Sequence, residues 1–232
     1  MDSFGMSMTG VDFKVMVCRG ATFAEDSDGN RPTLQHLNFS VEAGGDVEVH
    51  STDGFHCLVQ QFEFPAGQII GESVFALPVA GLQEFLKLLP VKASKMKDVT
   101  VGFSRSEGDG NQVRIAAFGG GMAEPVETFL DVNNAQFPHL EEFFKSGEEM
   151  EFKEDVGRVS LAAWSLYKMA MLAKPIKWAY GLDTEQGNRV AVRLSYSQNE
   201  SSPVMFNIEG GEYPVYGLAM PMFVQWETPK GN

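Results

Sequence analysis

Between two strand-like runs the chain gathers metal ligands and proton carriers of several kinds: His50, Asp53, His56 and Cys57, in and beside the stretch STDGFHCL. Imidazole, carboxylate and thiolate are the donors that zinc takes, and the same groups serve acid–base catalysis. Alternate strand residues point to opposite faces, so His50 and His56 share a side only if the turn between them keeps the strand phase. No C-x-x-C or H-E-x-x-H pair strengthens a metal reading. SEGDGNQV has the look of a calcium loop, yet Ala117 stands near the place of the bidentate glutamate, so a hairpin turn fits better. GGGM, around Gly119, follows a strand but opens no helix, which excludes a phosphate cradle. No G-x-S-x-G nucleophile turn occurs. The sequence therefore predicts no catalytic residue, no metal and no cofactor: the protein is not an enzyme. Asp53 and Gly54 suit a tight turn, through side-chain bonding and positive φ.

The elements that hold this turn repeat three times as a helix followed by strands. Val11, Val15, Cys18 and Thr22 lie on one face of a helix predicted from Met8 to Glu25. TLQHLNFSVE, VEVHS and FHCLVQQFEF then alternate as strands joined by GGD and TDG turns. Val79, Leu82, Phe85, Leu86 and Leu89 predict a second helix, with Pro78 in its first turn. DVTVGFSRS, QVRIAAFGG and VETFLDV follow as strands, the first two joined by an EGDGN hairpin. SLAAWSLYKMAMLAK is the third helix, with Leu161, Trp164, Met169 and Leu172 towards one face and Pro175 ending it. KWAYGL, RVAVRLSYS, VMFNIE and VYGLAMPMF complete the third set. The fold class is α+β, three helix-plus-antiparallel-strands repeats, each with an open apolar face that a neighbour must cover. The domains predicted are 1–135 (two repeats), a connector over 136–155, and a single repeat over 156–232.

A hydrophobic share of 44% with 18 Phe supplies a real core. No secretory signal and no apolar stretch of membrane-spanning length is seen, and two cysteines suit a reducing cytoplasm. The net charge of -13 argues against a generally basic, nucleic-acid-coating surface, but not against a local basic face.

Four segments, in order, resemble the sliding clamp of bacterial DNA polymerase III, its beta subunit. RPTLQHLNFSVEAGGDVEVHSTDGFHCL is similar to the clamp's R-P-x-L…T-D-G-H-R-L stretch, with Phe55 standing at the histidine. FALPVAGLQEFLKLL resembles the strand and helix that follow. ETFLDVNNAQFPHLEEFF is similar to the segment leaving the middle domain, and VYGLAMPMF to the C-terminal ending. The resemblance implies the sliding-clamp fold, with counterparts of the middle domain and of half of the last one. Clamp rings close around duplex DNA with about twelve such repeats, so three per chain imply a homo-tetramer rather than a trimer. A head-to-tail interface gives this ring only if its rotation closes.

The resemblance also implies sites. The partner-peptide groove falls on Leu34, Thr52, Gly54, Phe55, Cys57, Pro138, Phe143, Leu218, Met220, Pro221 and Met222; a Met-lined groove adapts to several partners. The helix segments 8–25, 79–97 and 160–177 hold nine of the 18 Lys and Arg, against Asp12, Glu25 and Glu84. Basic helices on an acidic body suit a lumen that holds phosphates without reading sequence. The DNA-facing set is Lys14, Arg19, Arg31, Lys87, Lys92, Lys95, Lys168, Lys174 and Lys177; Lys92, Lys95 and Lys174 serve equally to complement helix dipoles. The function implied is a polymerase processivity factor that encircles DNA and docks DNA polymerase and a clamp loader. A cytoplasmic setting, in a bacterium or a bacteriophage-infected host, suits so compact a chain. The alternative is a clamp-fold decoy that binds clamp-interacting peptides of replication proteins without closing a ring; a third reading is an α+β domain of unrelated function.

Overall fold

The computed structural model describes residues 4–25, 31–42, 44–64, 68–105, 111–133, 161, 163–172, 191–195, 203–209 and 215–220. A strand comes first: β1 (Phe4–Thr9) runs straight into α1 (Gly10–Phe23). Thr9 makes the switch. Its backbone is extended, and its hydroxyl oxygen accepts the Asp12 N–H at 3.2 Å, with Asp12 itself in the positive first turn. The helix predicted from Met8 is corrected here, since Phe4, Met6 and Met8 point inward with the period of a strand.

A 3-10 turn (Pro32–Gln35) leads to β2 (His36–Val41), β3 (Asp46–Thr52) and β4 (His56–Glu63), paired antiparallel in that order. A two-residue strand β5 (Ile69–Ile70) precedes β6 (Ser73–Pro78), α2 (Val79–Lys87) and a single turn α3 (Ala93–Met96). β7 (Val99–Arg105), β8 (Gln112–Gly119) and β9 (Val126–Asp131) follow. The third set comprises α4 (Ala163–Met171), β10 (Ala191–Ser195), β11 (Val204–Glu209) and β12 (Val215–Ala219). Pro78 closes β6 and caps α2 rather than entering its first turn.

Two sheets result, ordered β5-β1-β7-β8-β9 and β10-β11-β12-β4-β3-β2-β6. The first two repeats exchange their leading strands: β1 lies beside β7, and β6 beside β2. This exchange locks both repeats around one core. Phenylalanines from corresponding elements meet across it: Phe4 on Phe75 at 4.7 Å, Phe39 near Phe103 at 5.8 Å, Phe13 edge-on to Phe85 at 5.8 Å. Each such ring removed from water stabilises the fold by about 1.5–3 kcal/mol.

α1 is enclosed on more of its surface than the predicted face. Val11 and Val15 are buried, but so are Phe13, Met16, Val17 and Phe23, whereas Cys18 and Thr22 are only partly covered. The reason is that strands, α2 and α4 all lie against it. The third repeat joins the first through β12, antiparallel to β4, with Tyr216 opposite Val59. Beneath this junction Phe23, Leu58, Met169, Leu172, Phe206, Ile208, Val215 and Ala219 form a second core. Gly217 is needed there: a Cβ on it would collide with the Phe206 ring and the Cys57 carbonyl. Met169 on α4 and Leu172 just after it are buried as predicted, but Trp164 is 58% exposed and stacks on Tyr167. Ser165 and Lys168 take the inward positions instead, drawn there by polar partners.

Candidate functional site

The turn between β3 and β4 is built by its own side chains. Asp53 Oδ1 accepts the N–H groups of Phe55 and His56, both at 2.8 Å. The Thr52 hydroxyl donates to the His56 carbonyl at 2.6 Å and accepts the Gly54 N–H at 3.0 Å. Gly54 has φ +88, a conformation that favours glycine. These bonds push the Phe55 ring outward, 64% exposed.

Register then sorts the four chemistry-bearing residues. Thr52 pairs with Cys57 and His50 with Val59, which puts His50 and Cys57 on one face and His56 on the other. The histidines therefore do not converge on one ion. His50 Nε2 lies 3.0 Å from Glu48 Oε2. Burial pushes the Cys57 thiol up to about 12, so it stays protonated at neutral pH and is a poor nucleophile or ligand.

His56 joins a buried polar row. Its Nδ1 lies 2.8 Å from Asp53 Oδ2, and its Nε2 lies 2.6 Å from Ser165 Oγ on α4. Lys168 Nζ, also on α4, donates to the same Asp53 oxygen at 2.7 Å. Serine, histidine and aspartate in this order have the spacing of a hydrolase triad. The Ser165 hydroxyl, however, is sealed under α4 and gives a substrate no access. Burial alone would raise the Asp53 pKa, but the bonds from His56, Lys168 and the Phe55 N–H outweigh it and hold the carboxylate well below its usual range. The row ties the turn to the third repeat.

On the opposite face of the turn lies a cavity of about 320 Å³ lined by Arg31, Leu34, Thr52, Gly54, Phe55, His56, Cys57, Pro203, Leu218 and Met220. It sits on the β4–β12 junction. Leu34 comes from the 3-10 turn, Cys57 and Leu218 face each other across the two strands, and Met220 donates its N–H to the Phe55 carbonyl at 2.9 Å. Seven groove residues expected from sequence, namely Leu34, Thr52, Gly54, Phe55, Cys57, Leu218 and Met220, thus come together from three distant segments. Pro138, Phe143, Pro221 and Met222 lie outside the described residues, as do Lys174 and Lys177.

Arg31, expected near DNA, forms one rim of this cavity. It donates to Glu25 Oε1 at 3.0 Å and to the Asp53 carbonyl at 2.6 Å, and lies 6.0 Å from the Phe55 ring centre. Pro203 is a lining residue that the sequence did not mark, because it comes from the distant third repeat across the β4–β12 junction; His56, inside the turn itself, also lines the cavity. Behind the turn a second cavity, about 630 Å³, is bounded by Glu25, Arg31, Phe55, Trp164, Tyr167 and Lys168 among others. Arg31 and Phe55 separate the two.

The basic residues divide. Lys14 and Lys87 border a cavity of about 430 Å³ between α1 and α2, and Lys92 and Lys95 are exposed beside it on the α3 turn. Partial burial lowers the Lys14 pKa from the usual lysine value. Lys87 pairs with Glu84 at 2.5 Å. Two expectations are corrected. Arg19 is only 2% exposed, its Nε pointing at the Leu172 carbonyl at 3.5 Å, and Lys168 is 6% exposed in its pair with Asp53. Both cations are used inside the protein, because α4 packs over the helix face that carries Arg19.

No protein-family model matches the sequence, and no curated protein is similar to it in sequence. Solved structures are similar in shape. The beta chain of DNA polymerase III from Streptococcus pneumoniae superposes with a TM-score of 0.61 over 95% of this chain and 65% of its own, at 11% identity. The DNA polymerase sliding clamp of Bacillus subtilis gives 0.59 over 95% and 64%, at 13% identity. That of Pseudomonas aeruginosa gives 0.59 over 95% and 67%, at 16%.

The chain has the sliding-clamp fold.

It spans about two-thirds or less of the length of these clamps. The mixture of helices and antiparallel sheets expected from sequence is the one found.

Proposed function

We propose that the protein is a DNA sliding clamp, a ring around duplex DNA that docks a DNA polymerase and a clamp loader and performs no catalysis. The observation that carries this reading is the cavity at the β4–β12 junction, where seven residues singled out as a partner groove converge in a clamp fold. Its lining is largely apolar, with Leu34, Phe55, Leu218 and Met220 beside Thr52, His56 and Arg31, as suits a short peptide with apolar anchors. The resemblance assigns Pro138, Phe143, Pro221 and Met222 to the same groove. Lys14, Lys87, Lys92 and Lys95, with Lys174 and Lys177, form the lumen that holds DNA without sequence readout. Residues 1–135 form the two-repeat domain and 156–232 the single repeat, so that four chains complete the ring. Its setting is the cytoplasm of a bacterium or of a phage-infected cell.

A fluorescent peptide carrying the apolar clamp-binding anchors of a bacterial replicative polymerase tests the groove. Phe55→Ala and Met220→Ala should each weaken its affinity about tenfold, the loss of roughly 1.4 kcal/mol that one buried anchor contact contributes. Unchanged affinity in both variants removes the groove. A second reading, a decoy that captures such peptides without encircling DNA, draws support from the burial of Arg19 and Lys168, which leaves fewer cations for a lumen.

A further inference from the structure

The chain contains two kinds of junction between repeats, and both join like to like. Repeat one (β1-α1-β2-β3-β4) and repeat two (β6-α2-β7-β8-β9) exchange leading strands, β1 to the edge of β7 and β6 to the edge of β2. The exchange is reciprocal, as a local two-fold axis makes it. Repeats one and three meet through their last strands, β4 and β12, antiparallel and again related by a local two-fold. Repeats therefore run two-one-three, through an exchange junction and then a last-strand junction.

Among the described strands the two sheets have four ends; β5 and β6 lie at the exchange junction, and the other two, β9 and β10, are unlike. β9, the last strand of repeat two, ends the five-stranded sheet; it corresponds to β4, whose outer edge carries β12. β10, the first strand after α4, ends the seven-stranded sheet. It corresponds to β2 and β7, whose outer edges receive exchanged strands. A head-to-tail contact would set a last strand against an exchange site, a junction found nowhere among the described strands.

Resting on the clamp reading above, we propose that copies of this chain assemble like to like, the β9 edge of one against the β9 edge of a second and the β10 side of one against the β10 side of another. The surfaces agree. β9 presents Phe129, 48% exposed, and β8 presents Phe118, 55% exposed, on the uncovered face. Glu127 beside them is paired with Arg114 at 2.6 Å, and the other acid of this edge, Asp131, accepts from the Gln112 amide at 2.8 Å. On the other side, α4 packs on α1 yet leaves Leu166 exposed, as β10 leaves Leu194.

Each contact has its own two-fold axis, so the two kinds alternate around a closed ring and the number of chains is even. Four chains then have dihedral symmetry and three cannot close. Such a ring has two identical faces, with half of its partner grooves opening on each.

Single cysteines test this in a Cys18→Ala background, the buried Cys57 being left in place. With a short bismaleimide, Phe129→Cys alone (or Asp131→Cys, should the first variant unfold) and Leu194→Cys alone should each give covalent dimers. The double variant should give a four-chain product, and native mass should read four chains. Cross-links that form only when a β9 cysteine chain is mixed with a β10 cysteine chain, a three-chain mass, or four chains without self-cross-links would each overturn the like-to-like arrangement while leaving a ring. A monomer with no cross-link at either edge overturns the ring as well.

Discussion

Asp53 does two things at once: one carboxylate oxygen shapes the turn that presents Phe55, and the other binds His56 and Lys168 beneath it. Removing one member of a buried charged pair strands the other, at a cost of about 3–5 kcal/mol. Asp53→Asn should lower the unfolding free energy by that order in guanidinium titrations at pH 7, and a change within 0.5 kcal/mol, the size ordinary surface substitutions show, would count against the buried row. The pH dependence has a definite sign. Because the folded-state pKa of Asp53 lies below its unfolded value, its contribution is complete above about pH 4 and is lost as pH falls further. The acid limb of a stability–pH curve should therefore be shallower in Asp53→Asn than in the parent chain. Little of this row was legible in sequence. Asp53 and Gly54 announced a turn, but Ser165 and Lys168 lie more than a hundred residues away, and a lysine on a helix reads as a solvent cation until its partner is seen.

The β4–β12 junction carries the site at the scale of elements. It sets Leu218 against Cys57 and brings Met220 to Phe55, so the groove exists only while these two strands are paired. Gly217→Ala inserts a methyl where the Phe206 ring and the Cys57 carbonyl already touch the backbone. Overpacking of this kind costs about 1–3 kcal/mol. The variant should lose that much stability and, in limited proteolysis, release the segment from α4 to β12 before the two-repeat core is cut; parent-like protection would contradict the junction's role. Most strands were readable from alternation, as in β2, where Leu37, Phe39 and Val41 face inward. β1 was not, because Met8 and Val11 fit a helical spacing equally well and only the Thr9 cap separates strand from helix. Trp164 was misassigned because hydrophobicity alone favoured it over Ser165 and Lys168. The two exchanged strands, whose partners belong to another repeat, leave no local mark in the sequence.

For the whole molecule, three repeats in one chain give an acidic body, one shared two-repeat core and a third repeat docked through a sheet edge. Of the expected DNA-facing cations among the described residues, Lys87, Lys92 and Lys95 are exposed and Lys14 half-buried around α1, α2 and α3, and the proposed ring turns this side to DNA. Encirclement is a topological property and has a topological test. The protein is loaded onto nicked circular DNA by a clamp loader and ATP, and its retention through gel filtration is compared before and after the circle is linearised. The account predicts stable retention on the circle and loss on linearisation, as the ring slides off the ends. Equal loss from circular and linear DNA would contradict a sliding clamp and leave the decoy reading in its place.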